Sequence, residues 1–397
     1  MPHAQSIQVD VCLSNPIPAS FMRGGTSKGI YLNRADLPGD TAQWDPIFLG
    51  IMGSPDPKYG RQLNGMGGGV SSLSKVCVVG AASEEQRAAG IDVEYTFAQV
   101  GIRDELVDYS GNCGNLSSMI GVFALDEGLC ALRTVDTSAR VPTATVTAWN
   151  TNTQKRIDAT FPVSLDDGQP TALLDLEEET MAGVSGKASR ITLDFVSPGG
   201  ARTGKLLPTA QPVDTVQFAS GGGAAAVPMS LVDATNPTVF ITADGLRAAV
   251  PDTTASDYTS VHIQLAVEQL RRLGAERMGL DPEAEAQPKI AILSEPAADD
   301  SQADIVVHAY SMGVLHKAVP MTLGLCLGVA AGVEGSIPWQ IARARGAQIS
   351  TTTGDSMVRI RHPGGVVTVG AARKDGEVSS AKVVRTGRRL MKGVVWW

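Results

Sequence analysis

A lysine inside an apolar segment is the first residue of this sequence suited to proton transfer. Lys75 lies in Ser71–Val79, directly after the glycine-rich loop Asn64–Val70. Side chains alternate along a strand, so Leu73, Lys75 and Cys77 share one face, which favours burial of the lysine. Burial lowers the pKa of a lysine, and the resulting neutral amine can act as a general base. The alternative is a lysine on the solvent-facing side of an edge strand.

A cysteine in a turn of glycine and asparagine is the second candidate. Cys113 stands in Ser110–Asn115, where the following apolar run predicts the start of a helix. Because a helix N-terminus lowers the pKa of a thiol, Cys113 can serve as an acid or a base. A buried, unreactive cysteine explains the segment equally well. Core packing is the prediction for the cysteines in apolar patterns, which are Cys12, Cys77, Cys130 and Cys326.

Two further segments carry groups that can hold an anion. The loop Arg23–Gly29 combines two cations, two hydroxyls and three glycines, so Arg23, Ser27 or backbone amides can bind carboxylates. The loop lacks the GxxxxGK[ST] spacing of a phosphate-binding loop, and taken alone it is better explained as a turn with a solvated lysine. His316 precedes an apolar helix, where a ligand-binding donor and a structural histidine are equally good interpretations.

An internal repeat indicates how these segments are arranged. Gly121–Gly128 and Gly328–Gly335 share the pattern G-V-x-A-x-x-E-G, and each ends an apolar helix candidate at a glycine. A helix that is apolar on nearly all sides belongs in the centre of a core. Extending the alignment backwards pairs Cys113–Asn115 with Pro320–Thr322 at the N-termini of the two helices. Helix N-termini bind carboxylates, so two facing halves would form a cleft for a small polyanion.

Composition and patterning set the class of protein. The chain has 397 residues, of which 43% are hydrophobic and 19% charged, as is typical of a globular enzyme of two or three domains. Short β-branched runs separated by Gly, Pro, Asp and Asn predict many strands. The clearest helix is expected near Ser256–Met278, with Val261 and Leu265 on its apolar face and Arg271 on its wet face. A strand-rich chain with few helices favours an α+β fold.

Charge and motif content exclude several classes. The formal net charge of -8 argues against nucleic acid or an anionic membrane as a partner, although local donors can still bind a small anion. The cysteines include no CxxC pair and the histidines no HxxxH or HExxH motif, so we expect neither a disulfide framework nor a metal site. Without a GxGxxG motif, a spanning apolar run or a secretory signal, the sequence predicts a cytoplasmic protein with no nicotinamide cofactor.

These segments together resemble the PrpF family of 2-methylaconitate isomerases, within the diaminopimelate-epimerase-like superfamily. The similarity covers nearly the full length of the chain, and the combination of its motifs is specific. It is carried by Phe21–Gly29, Gly65–Lys75, Ser110–Asn115, Gly204–Thr209, Ser230–Pro237 and His316–Ala318.

The resemblance implies a fold of two pseudo-symmetric halves, each a β-barrel-like roll around a central helix, with the active site between them. We place the N-terminal half at residues 1–185 and the C-terminal half at residues 186–397, with a last strand that can return to the N-terminal half. The superfamily's amino-acid epimerases use two cysteines, one at the start of each central helix. Here Pro320 takes the second position, which argues against a two-thiol racemase.

The same resemblance bears on individual residues. Lys75 and Cys113 fall at the catalytic positions, and neither a metal nor a cofactor is implied. Substrate contacts are expected from residues of the glycine-rich loops and the two helix N-termini, which are Arg23, Ser27, Gly67, Gly68, Asn112, Gly114, Asn115, His316, Met321 and Thr322.

The sequence therefore predicts a cofactor-free isomerase that interconverts cis and trans 2-methylaconitate in propionate catabolism, through the methylcitrate cycle. Tautomerisation of 4-oxalomesaconate and migration of the methylitaconate double bond are alternatives, because substrate choice depends on the shape of the pocket. A non-enzymatic partner of an aconitase-like iron–sulfur enzyme and an amino-acid epimerase are less favoured. The expected partner is a small tri- or dicarboxylate, and the oligomeric state, including a homodimer, stays open.

Overall fold

The computed structural model describes residues 15–165, 170–220, 223–250, 257–284, 287–311 and 313–397. The α-helices in these ranges are α1 (Trp44–Met52), α2 (Glu84–Ala88), α3 (Gly114–Ser117), α4 (Ile120–Asp126), α5 (Ala243–Ala249), α6 (Val261–Met278), α7 (Met321–Ala330) and α8 (Ile337–Ala344). Single 3-10 turns cover Arg34–Asp36, Thr41–Gln43 and Ser71–Leu73. Among the described ranges, no helix is both long enough and apolar enough to cross a bilayer.

Strands dominate the described part of the chain, as its β-branched runs predict. The first set is β1 (Ile17–Gly24), β2 (Ser27–Asn33), β3 (Lys75–Ala81), β4 (Val93–Val100), β5 (Val107–Asp108), β6 (Thr134–Asp136), β7 (Thr143–Asn150), β8 (Lys155–Ser164), β9 (Thr171–Ala172), β10 (Glu179–Met181), β11 (Val184–Ala188) and β12 (Ile191–Val196). The second set is β13 (Asp214–Ser220), β14 (Gly223–Ala234), β15 (Asn236–Thr242), β16 (Lys289–Ser294), β17 (Ile305–Ser311), β18 (Val314–Leu315), β19 (Gly354–His362), β20 (Gly365–Lys374), β21 (Glu377–Arg385) and β22 (Gly387–Val395).

The order of pairing in the first set defines the N-terminal half. Strand β1 runs antiparallel to β2, β2 parallel to β3, and β3 antiparallel to β4. The order continues through a parallel pairing of β4 with β7 to the antiparallel strands β8 and β12. The short helices α3 and α4 together form the central helix of this half, between β5 and β7 in the chain.

The second set repeats this order. Strand β14 runs antiparallel to β15, β15 parallel to β16, and β16 antiparallel to β17. A parallel pairing of β17 with β19 leads on to the antiparallel strands β20 and β21. Helix α7 stands between β18 and β19, the place that α3 and α4 take in the first half. The predicted α+β fold of two pseudo-symmetric halves, each built around a central helix, is therefore confirmed.

The repeated glycines explain why the central helices can be enclosed by strands. A Cβ atom on Gly121 would lie 2.8 Å from the Phe161 ring of β8, and one on Gly328 would lie 2.6 Å from the Gly370 nitrogen of β20. Strands β8 and β20 are equivalent in the two halves, so each helix uses the same glycine to approach the same strand. Every residue of α7 from Leu323 to Ala330 is buried, as an all-apolar helix requires.

The two halves share one continuous sheet. Strand β12 pairs with β8 on one side and with β21 on the other, where Ile191 lies opposite Arg385. Strand β22 runs back antiparallel to β1 in the N-terminal half, with Ile17 opposite Val395. The division of the chain at residues 185 and 186 stays a prediction.

The long helix α6 corrects one expectation about its faces. Val261 and Leu265 are 69% and 62% exposed, whereas Arg271, predicted to face solvent, is 2% exposed. Arg271 donates to Glu268 and to the carbonyl groups of Pro282 and Ala284, so it anchors the following loop. Hydrophobic periodicity was misleading here because a buried arginine with a full set of acceptors replaces apolar packing. The predicted start of this helix, Ser256, lies outside the described residues.

The cysteines in apolar patterns behave largely as predicted. Cys77 and Cys326 are buried, and burial raises the pKa of Cys326 to about 12. Cys130 is half-buried against the same core, and burial raises its pKa to about 11. Cys12 lies outside the described residues.

Candidate active site

The N-termini of the two central helices meet between the halves. Gly114 begins α3 and Met321 begins α7, and a Cβ atom on Gly114 would lie only 2.6 Å from Met321 Cγ. Next to this contact lies the cleft, a cavity of about 440 Å³. Its walls include Thr26 and Asn115 from the N-terminal half and Met321 and Arg385 from the C-terminal half. The structure thus joins the two segments that the sequence repeat aligns.

Neither of these helices begins with a side-chain cap. Cys113 is the N-cap residue of α3 and Pro320 that of α7, and neither side chain accepts a hydrogen bond from the first turn. In contrast, α5, α6 and α8 begin with Thr242, Ser260 and Ser336, whose hydroxyls cap them. The first-turn N–H groups of α3 and α7 therefore have no intrahelical or N-cap acceptor and carry partial positive charge at the cleft.

Cys113 lies beside the first glycine-rich turn. Its Sγ is 3.8 Å from Ser27 Oγ, and Asn115 Nδ2 is 3.1 Å from Thr26 Oγ1 and 3.5 Å from Ser27 Oγ. Cys113 is half-buried, so its sulfur packs on the core while remaining reachable. The predicted grouping of Ser27, Cys113 and Asn115 is present in the structure.

Asn112 supports this turn from inside the protein. Its Oδ1 accepts a hydrogen bond from the Tyr95 hydroxyl at 3.1 Å, and its Nδ2 donates to Ser117 Oγ at 3.1 Å. Both ends of the amide are therefore occupied by the protein. In this geometry Asn112 fixes the backbone that carries Cys113.

Lys75 is buried, as the alternation of its segment predicts. It opens β3 with 8% exposure, and its Nζ donates to Gln99 Oε1 and lies 5.0 Å from the centre of the Phe97 ring. The Gln99 amide donates in turn to the carbonyls of Ser71 and Ser74, which fixes its orientation. No carboxylate of the described residues lies within ion-pair distance of Lys75.

Lys75 and Cys113 approach the same part of the core. Burial raises the pKa of Cys77 far above its usual value, Cys113 adds to this rise, and Lys75 opposes it, so both groups lie near the Cys77 sulfur. Gly29 also links them, because a Cβ atom there would lie 2.7 Å from Leu116 Cδ1 in α3 and 2.9 Å from the Lys75 carbonyl. The amine and the thiol thus belong to one neighbourhood.

Arg23 takes a different place from the one predicted. Its guanidinium donates to the carbonyls of Gly25 and Thr386 at 2.9 and 3.1 Å and to Thr386 Oγ1. It lines a second cavity of about 450 Å³ together with Arg388, and burial, followed by the charge of Arg388, lowers the Arg23 pKa. The structure does not bring Arg23 to the wall of the cleft.

Gly67 and Gly68 also lie away from the cleft wall. A Cβ atom on Gly67 would overlap the Gln62 side chain, and one on Gly68 would lie 2.6 Å from Leu73 Cδ1. Gln62 Nε2 donates to Ser74 Oγ at 2.7 Å. In this geometry the loop holds the start of β3, and with it Lys75, in place.

The remaining predicted residues come from the C-terminal half. Met321 lines the cleft, and the Thr322 carbonyl accepts a hydrogen bond from Thr235 Oγ1 at 2.9 Å. His316 lies just before α7; burial lowers its pKa, a hydrogen bond with the Ala318 backbone opposes this, and Lys289 adds to the lowering.

Arg385 is a cleft residue that the sequence analysis missed. It ends β21 with 6% exposure, and it donates to Asn115 Oδ1 at 3.0 Å, to the Val384 carbonyl at 2.8 Å and to Met321 Sδ at 2.7 Å. Burial lowers its pKa to about 9, and Cys113 opposes the fall. The signal was present in the run AKVVRTG, where alternation places Arg385 on the same face as the buried Ala381 and Val383.

His362 is the second missed residue of the cleft. It ends β19 and lines the cavity, and its Nδ1 accepts a hydrogen bond from the Gly364 N–H at 3.0 Å. Burial lowers its pKa to about 4, and the charges of Arg385 and His316 add to the effect. At neutral pH the ring is therefore uncharged, with Nε2–H as its free donor.

A separate hairpin covers the cleft. Strands β10 and β11 pair only with each other in the described ranges, and their connection lies over both halves. A Cβ atom on Gly365 would lie 2.5 Å from Ala182 Cβ, and one on Gly183 would lie 3.6 Å from Thr26 Cγ2. Met181 lines both cavities.

The arrangement is suited to a small polyanion and to proton transfer. Arg385 and the two uncapped helix ends supply donors, while the amine of Lys75 and the thiol of Cys113 are groups able to exchange a proton. No three His, Cys, Asp or Glu side chains of the described ranges come together as a metal-binding group.

Known proteins resemble this chain over almost its whole length. The family model described as PrpF protein matches residues 14–397. The 3-methylitaconate isomerase of Eubacterium barkeri is 35% identical, covering 96% of this chain and 97% of its own. The 2-methyl-aconitate isomerase of Shewanella oneidensis is 35% identical, covering 96% of both chains. The crystal structure of methylitaconate-delta-isomerase is similar with a TM-score of 0.78 and 34% identity, covering 96% of both chains.

Proposed function

This chain belongs to the PrpF protein family and is an isomerase, and from this premise we propose that it interconverts the cis and trans forms of 2-methylaconitate. The observation that carries the proposal is Arg385. A buried guanidinium without a carboxylate partner in the described residues is costly for the fold. A carboxylate bound in the cleft would supply the missing counter-charge.

The first step of the proposed reaction is removal of an allylic proton. Lys75 acts as the general base and takes the proton from the carbon next to the double bond, and the electron pair of the C–H bond spreads into the conjugated carboxylate. The resulting dienolate has lost the double-bond character that fixed its geometry. The first-turn N–H groups of α3 and α7 and the Arg385 guanidinium stabilise the charge on its oxygens.

The second step is rotation and return of the proton. Rotation about the former double bond exchanges the cis and trans arrangements, and a proton returned to the same carbon restores the alkene. Lys75, now an ammonium, or Cys113 delivers this proton. Gln99 Oε1 accepts a hydrogen bond from Lys75 Nζ and holds the amine in place.

Two sister reactions use the same chemistry. Returning the proton to a different carbon moves the double bond, as the name of the methylitaconate-delta-isomerase describes for that protein. Tautomerisation of 4-oxalomesaconate also begins with proton removal next to an unsaturated carboxylate. We propose 2-methylaconitate as the substrate, in propionate catabolism through the methylcitrate cycle, with no cofactor, in the cytoplasm.

A proton NMR assay in deuterated buffer tests the function. Purified protein with EDTA and no added cofactor receives 2-methylaconitate or trans-aconitate, and we expect the other isomer to form with deuterium incorporated. Lys75→Ala should lose turnover by roughly 10²–10⁴-fold, the range for loss of a general base. The control is Lys382→Met, because Lys382 is also a strand lysine but pairs with Asp194 at 2.6 Å.

The outcomes separate the proposal from its alternatives. If folded wild-type protein gives neither isomer nor exchange with both acids, the 2-methylaconitate proposal is wrong, and 4-oxalomesaconate becomes the next substrate to assay. A nearly fully active Lys75→Ala protein would remove the lysine from the mechanism. Binding to an aconitase-like enzyme in the absence of any isomerase activity would favour the accessory role.

A further inference from the structure

The C-terminal half contributes a distinct wall to the cleft. Strand β20 begins at the cleft, and its residues Val366, Val367 and Thr368 line the cavity. The neighbouring strands β19 and β21 end at the same edge of the sheet, with His362 on one side of β20 and Arg385 on the other. Two nitrogen donors therefore flank the start of β20.

This wall has an excess of positive and neutral donors over acids. Arg385 donates only to an amide oxygen, a carbonyl and a sulfur atom among the described residues. Glu179, which also lines the cavity, is paired with Arg190 at 3.1 Å. His316 lies near His362.

The hydrogen bond from Gly364 decides which nitrogen of His362 can meet a ligand. Because Nδ1 accepts from the Gly364 N–H at 3.0 Å, the proton of the neutral ring must be on Nε2. A neutral histidine in this state offers one donor and no charge. Such a ring can donate a hydrogen bond from Nε2 to a carboxylate oxygen whose charge is already balanced by a cation such as Arg385.

We infer that His362 is a specificity-determining residue, which together with Arg385 binds the carboxylate that a tricarboxylate has and a dicarboxylate lacks. The inference rests on the proposed function, since it concerns the substrate class of the same cleft. The helix ends supply donors for the carboxylates common to both classes. A dicarboxylate leaves the His362 position to water, whereas a tricarboxylate fills it.

Calorimetric titration with trans-aconitate and with mesaconate, a dicarboxylate, tests the inference. We expect His362→Asn to weaken trans-aconitate binding by about tenfold or more, as for loss of one hydrogen bond to a charged group. Mesaconate binding should change by less than about twofold. His362→Gln, whose amide nitrogen can replace Nε2–H, should restore most of the affinity.

His308→Asn is the matched control. His308 is also a half-buried strand histidine whose pKa is lowered by burial, but its ring packs on Tyr258 with centroids 4.4 Å apart. It should bind both acids like the wild type. Equal loss of both acids in folded His362→Asn, or loss of neither, would overturn the inference while leaving the isomerase proposal intact. Failure of the wild type to bind either acid would overturn the proposed function as well.

Discussion

Replacing Arg385 with methionine should stabilise the fold and remove activity. Burial lowers the pKa of this guanidinium from 12.5 to about 9. At ~1.4 kcal/mol per pKa unit, keeping it charged in the folded chain costs roughly 5 kcal/mol. Loss of its hydrogen bonds to Asn115, the Val384 carbonyl and Met321 offsets about 1 kcal/mol each. The net gain for Arg385→Met is therefore about 2 kcal/mol, within the range seen when buried charges become apolar.

The pH dependence of this gain follows from the direction of the pKa change. Arg385 is protonated in both the folded and the unfolded chain at neutral pH, so the full cost applies there. It declines only as the pH rises through about 9, where the folded chain begins to release the proton. The stability difference between variant and wild type should be constant from about pH 6 to about pH 8 and shrink above that range.

Two assays measure the two halves of this prediction. Urea unfolding followed by circular dichroism gives the change in unfolding free energy. The NMR assay gives kcat/KM, which should fall by about 10²–10³-fold because a buried charge contact to the substrate is lost. The control is Arg389→Met. Arg389 forms a two-pronged ion pair with Asp126 at 2.6 and 2.7 Å, so its loss should destabilise the fold and spare turnover. If Arg385→Met were destabilised like the control and kept its activity, the guanidinium would serve the fold and the reasoning would be refuted.

Two further predictions concern the turn and the thiol. Iodoacetamide should modify Cys113 before the other described cysteines, because those are more buried or have a raised pKa. Bound trans-aconitate should slow the modification of Cys113. Peptide mass spectrometry identifies the labelled cysteine. Modification of the other described cysteines first would contradict the half-exposed placement of Cys113 beside the glycine-rich turn. Gly25→Ala should lower both stability, by about 1–3 kcal/mol, and turnover, since Gly25 has a φ of +53° and its Cβ would overlap Asn115 Oδ1. Gly111→Ala, with open space around its Cβ, is the control, and equal behaviour of the two variants in urea unfolding would count against this account.

Features set by local pattern could be predicted from the sequence. The G-V-x-A-x-x-E-G repeat identified both central helices, because Gly121 and Gly328 each allow a strand to approach the helix closely. Alternation along one strand predicted the burial of Lys75, which the structure confirms at 8% exposure. The start of a helix at Cys113 followed from a glycine-rich turn before an apolar run.

Features set by distant pairing could not be predicted in the same way. Arg385 reaches Asn115 from 270 residues further along the chain, and only the pairing of β21 with β12 and β20 places it there. His362 enters the cleft because β19 ends where β20 begins. Arg23 turns toward Thr386 and a second cavity, a choice that depends on the return of β22 to β1.

The sequence by itself thus determined the central helices, the buried lysine and the cysteine at a helix start, since each depends on neighbours a few residues away. Only the tertiary structure decided which cations face the substrate cleft. Lys75, Arg385 and Arg23 are all basic residues that begin, end or lie within strands, and their sequences alone do not distinguish them. The sheet separates them, because the direction of each side chain depends on which strands pair on either side.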